Sequence, residues 1–272
     1  MSASSSSVAV VTGGGSGLGL SMAYELARNG HAVGLVGRSQ ERLDRARSQL
    51  EAEGFTCAVA PGDVRSAAEL GEAIGAIESA LGPADVAVHA AGVMVALGPL
   101  WEADERAWRA DFDTSIVGGF LLAQRVLPSM VSRRRGRLIV VLSGVAFRPS
   151  PYRTGYAAGK AALMNLVESL ASELEPHSVR AFAVAPGFAD TDMTRSMANS
   201  PWSRELDHSE VVPAGRSAEL VARIAAGDAD LLSGRLLHAL DDLDEMLAHL
   251  QEIADAELYV PRVRRLESTD GV

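Results

Sequence analysis

A single cysteine, Cys57, stands among the 272 residues. That excludes an internal disulfide framework and any site built from several thiolates. The six histidines (His31, His89, His177, His208, His238 and His249) are scattered without the short spacing of metal ligands, so no metal is expected. Positive charge is also scarce. With 25 Lys and Arg against 35 Asp and Glu the net charge is −10, the wrong sign for a surface that neutralises nucleic-acid phosphates. One basic run, Arg133, Arg134, Arg135 and Arg137, has no interleaved aromatics and reads as a solvated loop ahead of a strand. Residues 2–7 are only Ala and Ser, and the apolar stretch 8–11 is too short for a signal peptide or a membrane span. Residues 1–7 read as a flexible tail, and the protein as a cytoplasmic one with no membrane or nucleic-acid partner.

What is present is the composition of a globular protein with a large core: 47% hydrophobic and 22% charged. The length is compatible with one α/β unit. Apolar runs of strand length at 8–12, 32–36, 56–60, 85–89, 137–142, 180–184 and 235–239 alternate with amphipathic stretches at 17–29, 39–53, 66–81, 103–132, 154–175 and 217–226. Alternation of this kind, with right-handed crossovers, predicts a doubly wound parallel sheet of about seven strands. Residues 8–240 would form this single domain and residues 241–272 an extension of it. In the extension, Leu240, Leu243, Leu247, Leu250 and Ile253 recur at helical spacing behind Asp241, Asp242 and Asp244, which predicts a helix near 242–255. Alternation from Leu258 through Leu266 suggests an extended tail laid on this subunit or on a neighbour.

The first strand runs into Thr12-Gly13-Gly14-Gly15-Ser16-Gly17-Leu18-Gly19 and then directly into a helix. Glycines allow a sharp turn and close backbone approach, and a helix N-terminus offers free N–H groups to a pyrophosphate. A Rossmann-like dinucleotide site follows. Its spacing, Gly-x-x-x-Gly-x-Gly, resembles that of the short-chain dehydrogenase/reductase family, and the resemblance recurs to about residue 195. At the end of the second strand, where a carboxylate would grip a ribose 2′-hydroxyl, stand Gly37 and Arg38. That exchange favours the 2′-phosphate of NADP(H) over NAD(H).

The resemblance implies further cofactor contacts. They come from Asp63 and Val64 near the adenine, from Ala91 and Gly92 passing beneath the cofactor, and from Pro186, Gly187 and Thr191 near the nicotinamide. Asp63 could equally cap a helix, and His89, ahead of Ala91, reads as structural. Tyr156 and Lys160 lie one helical turn apart, and Ser143 precedes Tyr156 by thirteen residues at a strand end, which is the family spacing. A carbonyl accepting hydride needs a proton on oxygen, and a tyrosine can supply it or take it back. Lys160 would stabilise the tyrosinate and, by resemblance, hold the nicotinamide ribose. Ser143 would align the substrate oxygen. Ser115 stands where the family carries an asparagine of the proton relay. Met193, Met197, Pro201 and Trp202 suggest a partly apolar substrate, or simple packing. A small carbonyl or alcohol substrate is expected. The long helices resemble those that pair in family dimers and tetramers, so a homodimer or homotetramer is expected too. Two rivals stay open: a cofactor-binding sensor or scaffold with weak chemistry, and an epimerase or dehydratase working through a transient ketone.

Overall fold

The computed structural model describes residues 7–202 and 211–263. The expected N-terminal tail, apart from Ser7, lies outside these residues, as do Leu266 and the last part of the tail beyond residue 263. Seven strands form one parallel sheet in the order β3-β2-β1-β4-β5-β6-β7. They are Val8–Thr12 (β1), Ala32–Gly37 (β2), Cys57–Pro61 (β3), Val86–His89 (β4), Gly136–Val141 (β5), Val179–Ala185 (β6) and Leu236–His238 (β7). Each lies within two residues of its expected bounds, because runs such as Val8-Ala9-Val10-Val11 are apolar on both faces and must be covered on both.

Helices provide that cover. On one face Gly17–Arg28 (α1), Gln40–Ala52 (α2) and Ala214–Ala226 (α7) pack over Val11, Leu35, Ile139 and Phe182. On the other, Ala67–Leu81 (α3), Glu105–Arg133 (α4) and Thr154–Leu174 (α5) pack over Val10, Ala87, Leu138 and Ala181. By length and composition α4 could cross a membrane. Its apolar residues are used instead against α5 and the sheet, where Leu122, Val126 and Met130 are fully buried.

Three expectations are corrected. The basic run is not a solvated loop. Arg133 closes α4, and Arg133 and Arg135 both reach Asp85 (2.5 and 2.8 Å), while Arg137 pairs with Asp230 (2.8 Å). Burial pushes the Asp85 carboxyl up, but its hydrogen bonds from Arg133 and Arg135 outweigh this and hold it below the usual carboxylate range. Next, the helix expected over 242–255 is two short ones, Leu243–Ala248 (α8) and Leu250–Asp255 (α9), when numbered after the unanticipated Asp192–Ala198 (α6). The break falls at His249, whose ring Nδ1 takes the carbonyl of Glu245 at 2.8 Å. Last, the tail expected to run extended from Leu258 is turned over residues 256–259. It turns back on the same subunit, where Leu236 N donates to Tyr259 O (2.9 Å) and Arg262 pairs with Glu168 of α5.

Candidate active site

The order of strands reverses between β1 and β4, and a cavity of about 860 Å³ opens there beyond their carboxyl ends. The glycine loop forms its floor. Gly13 (φ +72°) turns the chain so that its N–H reaches Val36 O (2.8 Å), and a Cβ there would come within 2.9 Å of Ala91 Cα. A Cβ on Gly19 would overlap the Gly13 carbonyl oxygen, so α1 can start this close to β1 only with glycine. The N-cap of α1, Ser16, has extended backbone and makes no side-chain cap bond. The first-turn amides therefore keep their donors and their partial positive charge for a ligand.

Gly13, Gly15, Ser16, Gly17, Leu18, Gly19, Arg38, Asp63, Val64, Ala91, Gly92, Pro186, Gly187 and Thr191 all line this cavity, and so do Ser143, Tyr156 and Lys160. Two expected residues do not. Thr12 is fully buried, and its hydroxyl lies 3.0 Å from His89 Nδ1. Ser115 is fully buried in the contact of α4 with Gly159 of α5, and its Oγ has no hydrogen-bond partner. Asp63 caps no helix: Ser66 caps α3, while Arg65 grips the Asp63 carboxylate through Nε and Nη2 and lowers its pKa. The Thr191 hydroxyl caps α6, accepting from Thr194 N (3.3 Å).

At the inner end, Ser143, two residues beyond β5, lies beside Tyr156 in the first turn of α5, near enough for its hydroxyl to lower the Tyr156 pKa. Burial raises the Tyr156 pKa above 10.0, and the Ser143 hydrogen bond and the Arg153 charge offset part of that rise. Lys160, 3% exposed, donates to Val141 O (2.6 Å), and its Nζ lies 5.6 Å from the Tyr156 ring centroid. Burial pulls the Lys160 ammonium down to about 8. A neutral phenol beside a hydroxyl and above a lysine is an arrangement that can deliver one proton and receive it back.

Behind the cavity, His89 of β4 ties β1 to α4. Its Nε2 lies 3.2 and 3.0 Å from the carbonyls of Thr114 and Ser115, which only accept, so Nε2 carries the proton and Nδ1 accepts from Thr12. Burial first, then the Lys160 charge, push its pKa down to about 3.

Three residues here escaped the sequence analysis. Arg42, one turn after Arg38, adds a second guanidinium to the outer rim and pairs with Asp192 (3.5 Å); its spacing from Arg38 was the available signal. Asp111 of α4, fully buried, accepts from Val95 N (2.7 Å) and Ala96 N (3.0 Å) and so fixes the loop after β4. Burial raises its pKa. Arg153, 8% exposed, lines the cavity three residues before Tyr156. Nothing in local sequence pattern points to either of the last two. Among the described residues no group of three or more His, Cys, Asp or Glu side chains could hold a metal ion.

The family model for short chain dehydrogenase matches residues 7–202. A short chain dehydrogenase of Pseudocercospora fijiensis is 31% identical over 258 residues, which cover 90% of this chain and 83% of the relative. The 3-oxoacyl-[acyl-carrier-protein] reductase of Staphylococcus epidermidis is 30% identical over 235 residues, 85% of this chain and 96% of the relative. Among solved structures, a variant of actinorhodin polyketide ketoreductase with NADPH superposes with a TM-score of 0.81 at 27% identity, covering 88% of this chain and 97% of that one. With the seven-stranded parallel sheet, the glycine loop and this breadth of likeness, the chain belongs to the short-chain dehydrogenase/reductase family and is an oxidoreductase acting on CH–OH or C=O groups.

Proposed function

We propose that the protein is an NADP(H)-dependent carbonyl reductase, or the reverse alcohol dehydrogenase, for a small and partly apolar substrate. One observation carries this: Ser143, Tyr156 and Lys160 converge at one end of a cavity whose other end holds the glycine loop, Arg38 and Arg42. The site fits the cofactor, since the uncapped amides of α1 would receive an anion and Arg38 and Arg42, on the rim of the same cavity, would meet a 2′-phosphate. When bound, the nicotinamide supplies or accepts the hydride. Gly92, Pro186, Gly187 and Thr191 line the wall that would hold its ring, and Lys160, which lines the same cavity, would hold its ribose.

Tyr156 is the acid/base. Its raised pKa keeps the phenol protonated at neutral pH, which suits proton delivery to a carbonyl oxygen. Ser143 orients that oxygen with its hydroxyl, and the ammonium of Lys160, charged below about pH 8, stabilises the phenolate left behind. Ser115, walled off from the cavity, is assigned no contact with substrate. Phe120 on α4 is 47% exposed, and we extend the proposal to a cytoplasmic homodimer or homotetramer that covers this helix.

The test is Tyr156→Phe, assayed with NADPH and a panel of ketones, quinones and secondary alcohols. Removing one hydroxyl should lower kcat by about 10³-fold while NADPH binding, followed by fluorescence, is retained. Turnover at the wild-type rate would refute the acid/base role, and failure of NADPH to bind the wild-type protein would refute the whole proposal.

A further inference from the structure

We propose, building on the function proposed above, that Asp111 is a positioning residue for the reaction. It holds the loop after β4 against the active site, and through that loop it decides which of the two substituents of a ketone lies on the side of Val93 and Met94.

An aspartate is an odd occupant of this place. It stands in the second turn of α4 and is fully buried, where an apolar residue would suit both the helix and the core better. Each of its carboxylate oxygens takes one amide, Oδ1 from Val95 N (2.7 Å) and Oδ2 from Ala96 N (3.0 Å). Residues 90–97 form no helix or strand. Among the described residues, these two are the only backbone amides from Gly92 to Leu97 that find a hydrogen-bond partner. One side chain therefore holds the middle of the loop.

That side chain is tied to the catalytic turn. α4 docks on the start of α5, where Trp108 Nε1 donates to Thr154 Oγ1 (3.0 Å) and a Cβ on Gly155 would come within 2.8 Å of Trp108 O. Gly155 immediately precedes Tyr156. The far end of the loop reaches the same region. Gly98 N donates to the carbonyl of Tyr152 (2.8 Å), whose ring stacks on Trp202 (centroids 4.8 Å apart). Burial is the main cause of the raised Tyr156 pKa and the Asp111 charge adds to it, so the carboxylate lies within electrostatic reach of the phenol.

The loop in turn forms one wall of the substrate end. Gly92, Val93 and Met94 line the cavity, and a Cβ on Gly92 would lie 3.7 Å from Met193 Cε and 3.9 Å from Lys160 Nζ. With the carbonyl oxygen at Tyr156 and its carbon turned to the cofactor, one freedom remains: exchange of the two substituents, which inverts the hand of the alcohol. A wall held in place accepts the smaller substituent and refuses the larger, whereas a loose wall accepts both.

The experiment reduces a panel of prochiral ketones, acetophenone and its longer-chain homologues among them, with NADPH and the full-length protein in wild type and Asp111→Asn. The quantity read is the enantiomer ratio of the alcohol, by chiral chromatography. Asparagine keeps the size of the side chain but accepts from only one of the two amides and turns a donor towards the other. Loss of folded protein slows both enantiomers alike and leaves the ratio unmoved. We expect a ratio of about 20 to one or more in wild type, a fall of about fivefold in Asp111→Asn, and unchanged NADPH binding. A wild-type ratio near one, or a ratio unchanged in Asp111→Asn, overturns the proposal while leaving the reductase assignment standing. If Asp111→Asn does not fold, Ala96→Pro, which deletes one of the accepted amides, is read in the same way: a fall supports the proposal and an unchanged ratio overturns it. If neither a ketone nor a secondary alcohol turns over in wild type, the reductase assignment fails and this proposal falls with it.

Discussion

The two ends of the cavity carry cations of opposite character. At the nucleotide end Arg38 and Arg42 stand on the surface in water, one at the end of β2 and one on α2. At the inner end Lys160 and Arg153 are 3% and 8% exposed. An exposed guanidinium costs the fold little and contributes little to it, so it is free to follow the ligand. A buried ammonium destabilises the folded protein whenever it is charged, and its presence is explained by chemistry rather than by stability. Under the proposed function, the comparison separates residues that would select the cofactor from residues that would take part in the reaction.

The largest expected effect that would break this contrast is at Lys160. Lys160→Met should cost about 10² in kcat or more, since the phenolate loses its counter-charge. Its effect on stability should run the other way. Burial lowers the Lys160 pKa from 10.5 to about 8. Below pH 8 the folded and unfolded chains are both charged here and the folded one bears the full cost, which disappears as the pH rises to 10.5. Urea titrations should therefore show Lys160→Met gaining most over wild type near neutral pH, with the gap shrinking between pH 8 and 10.5. A gap independent of pH would mean that the ammonium is not desolvated as described.

A second effect concerns the buried ring that joins β1 to α4. His89 stays neutral down to about pH 3, whereas its unfolded form takes up a proton below 6.5. Stability is then fully present above 6.5 and falls with acidification, by about 2 kcal/mol at pH 5. His31, also depressed by burial, adds to the same slope. His89→Asn should flatten it in denaturant titrations at pH 5 to 7, and an unchanged slope would place the titration elsewhere. The smallest effect belongs to the exposed end. Arg38→Ala should weaken NADPH binding about tenfold at low salt with little change in NADH binding, and the difference should shrink as salt is added. Equal losses for both nucleotides would show that Arg38 does not discriminate between them.

The nucleotide end was legible in the sequence because its signals are local. A glycine loop between a strand and a helix, and an arginine at a strand end, are contiguous features that need no knowledge of the fold to be seen. Ser143, Tyr156 and Lys160 were legible through spacing along one strand and one helix. Asp111 and Arg153 were not, because each acts across the fold. Asp111 reaches backward sixteen residues to Val95, and Arg153 takes its orientation from Trp202 and Gly98 through Tyr152. The same limit explains the basic run, whose partners Asp85 and Asp230 lie 48 and 93 residues away. The paired short helices α8 and α9 show a different failure: apolar periodicity passes straight through His249 and carries no sign that its ring would take a backbone carbonyl.

The hydrogen bond from Leu236 to Tyr259 bears on how the sheet ends. β7 is the outermost strand of the sheet, and its bare rim would offer an unpaired row of amides to any other extended chain. Residues 258–259 cover part of that rim, with Arg235 Nη1 held to Leu258 O at 2.7 Å as well. These few residues beyond α9 therefore act as a guard on the sheet's edge, leaving less of it open to strand pairing by a second copy.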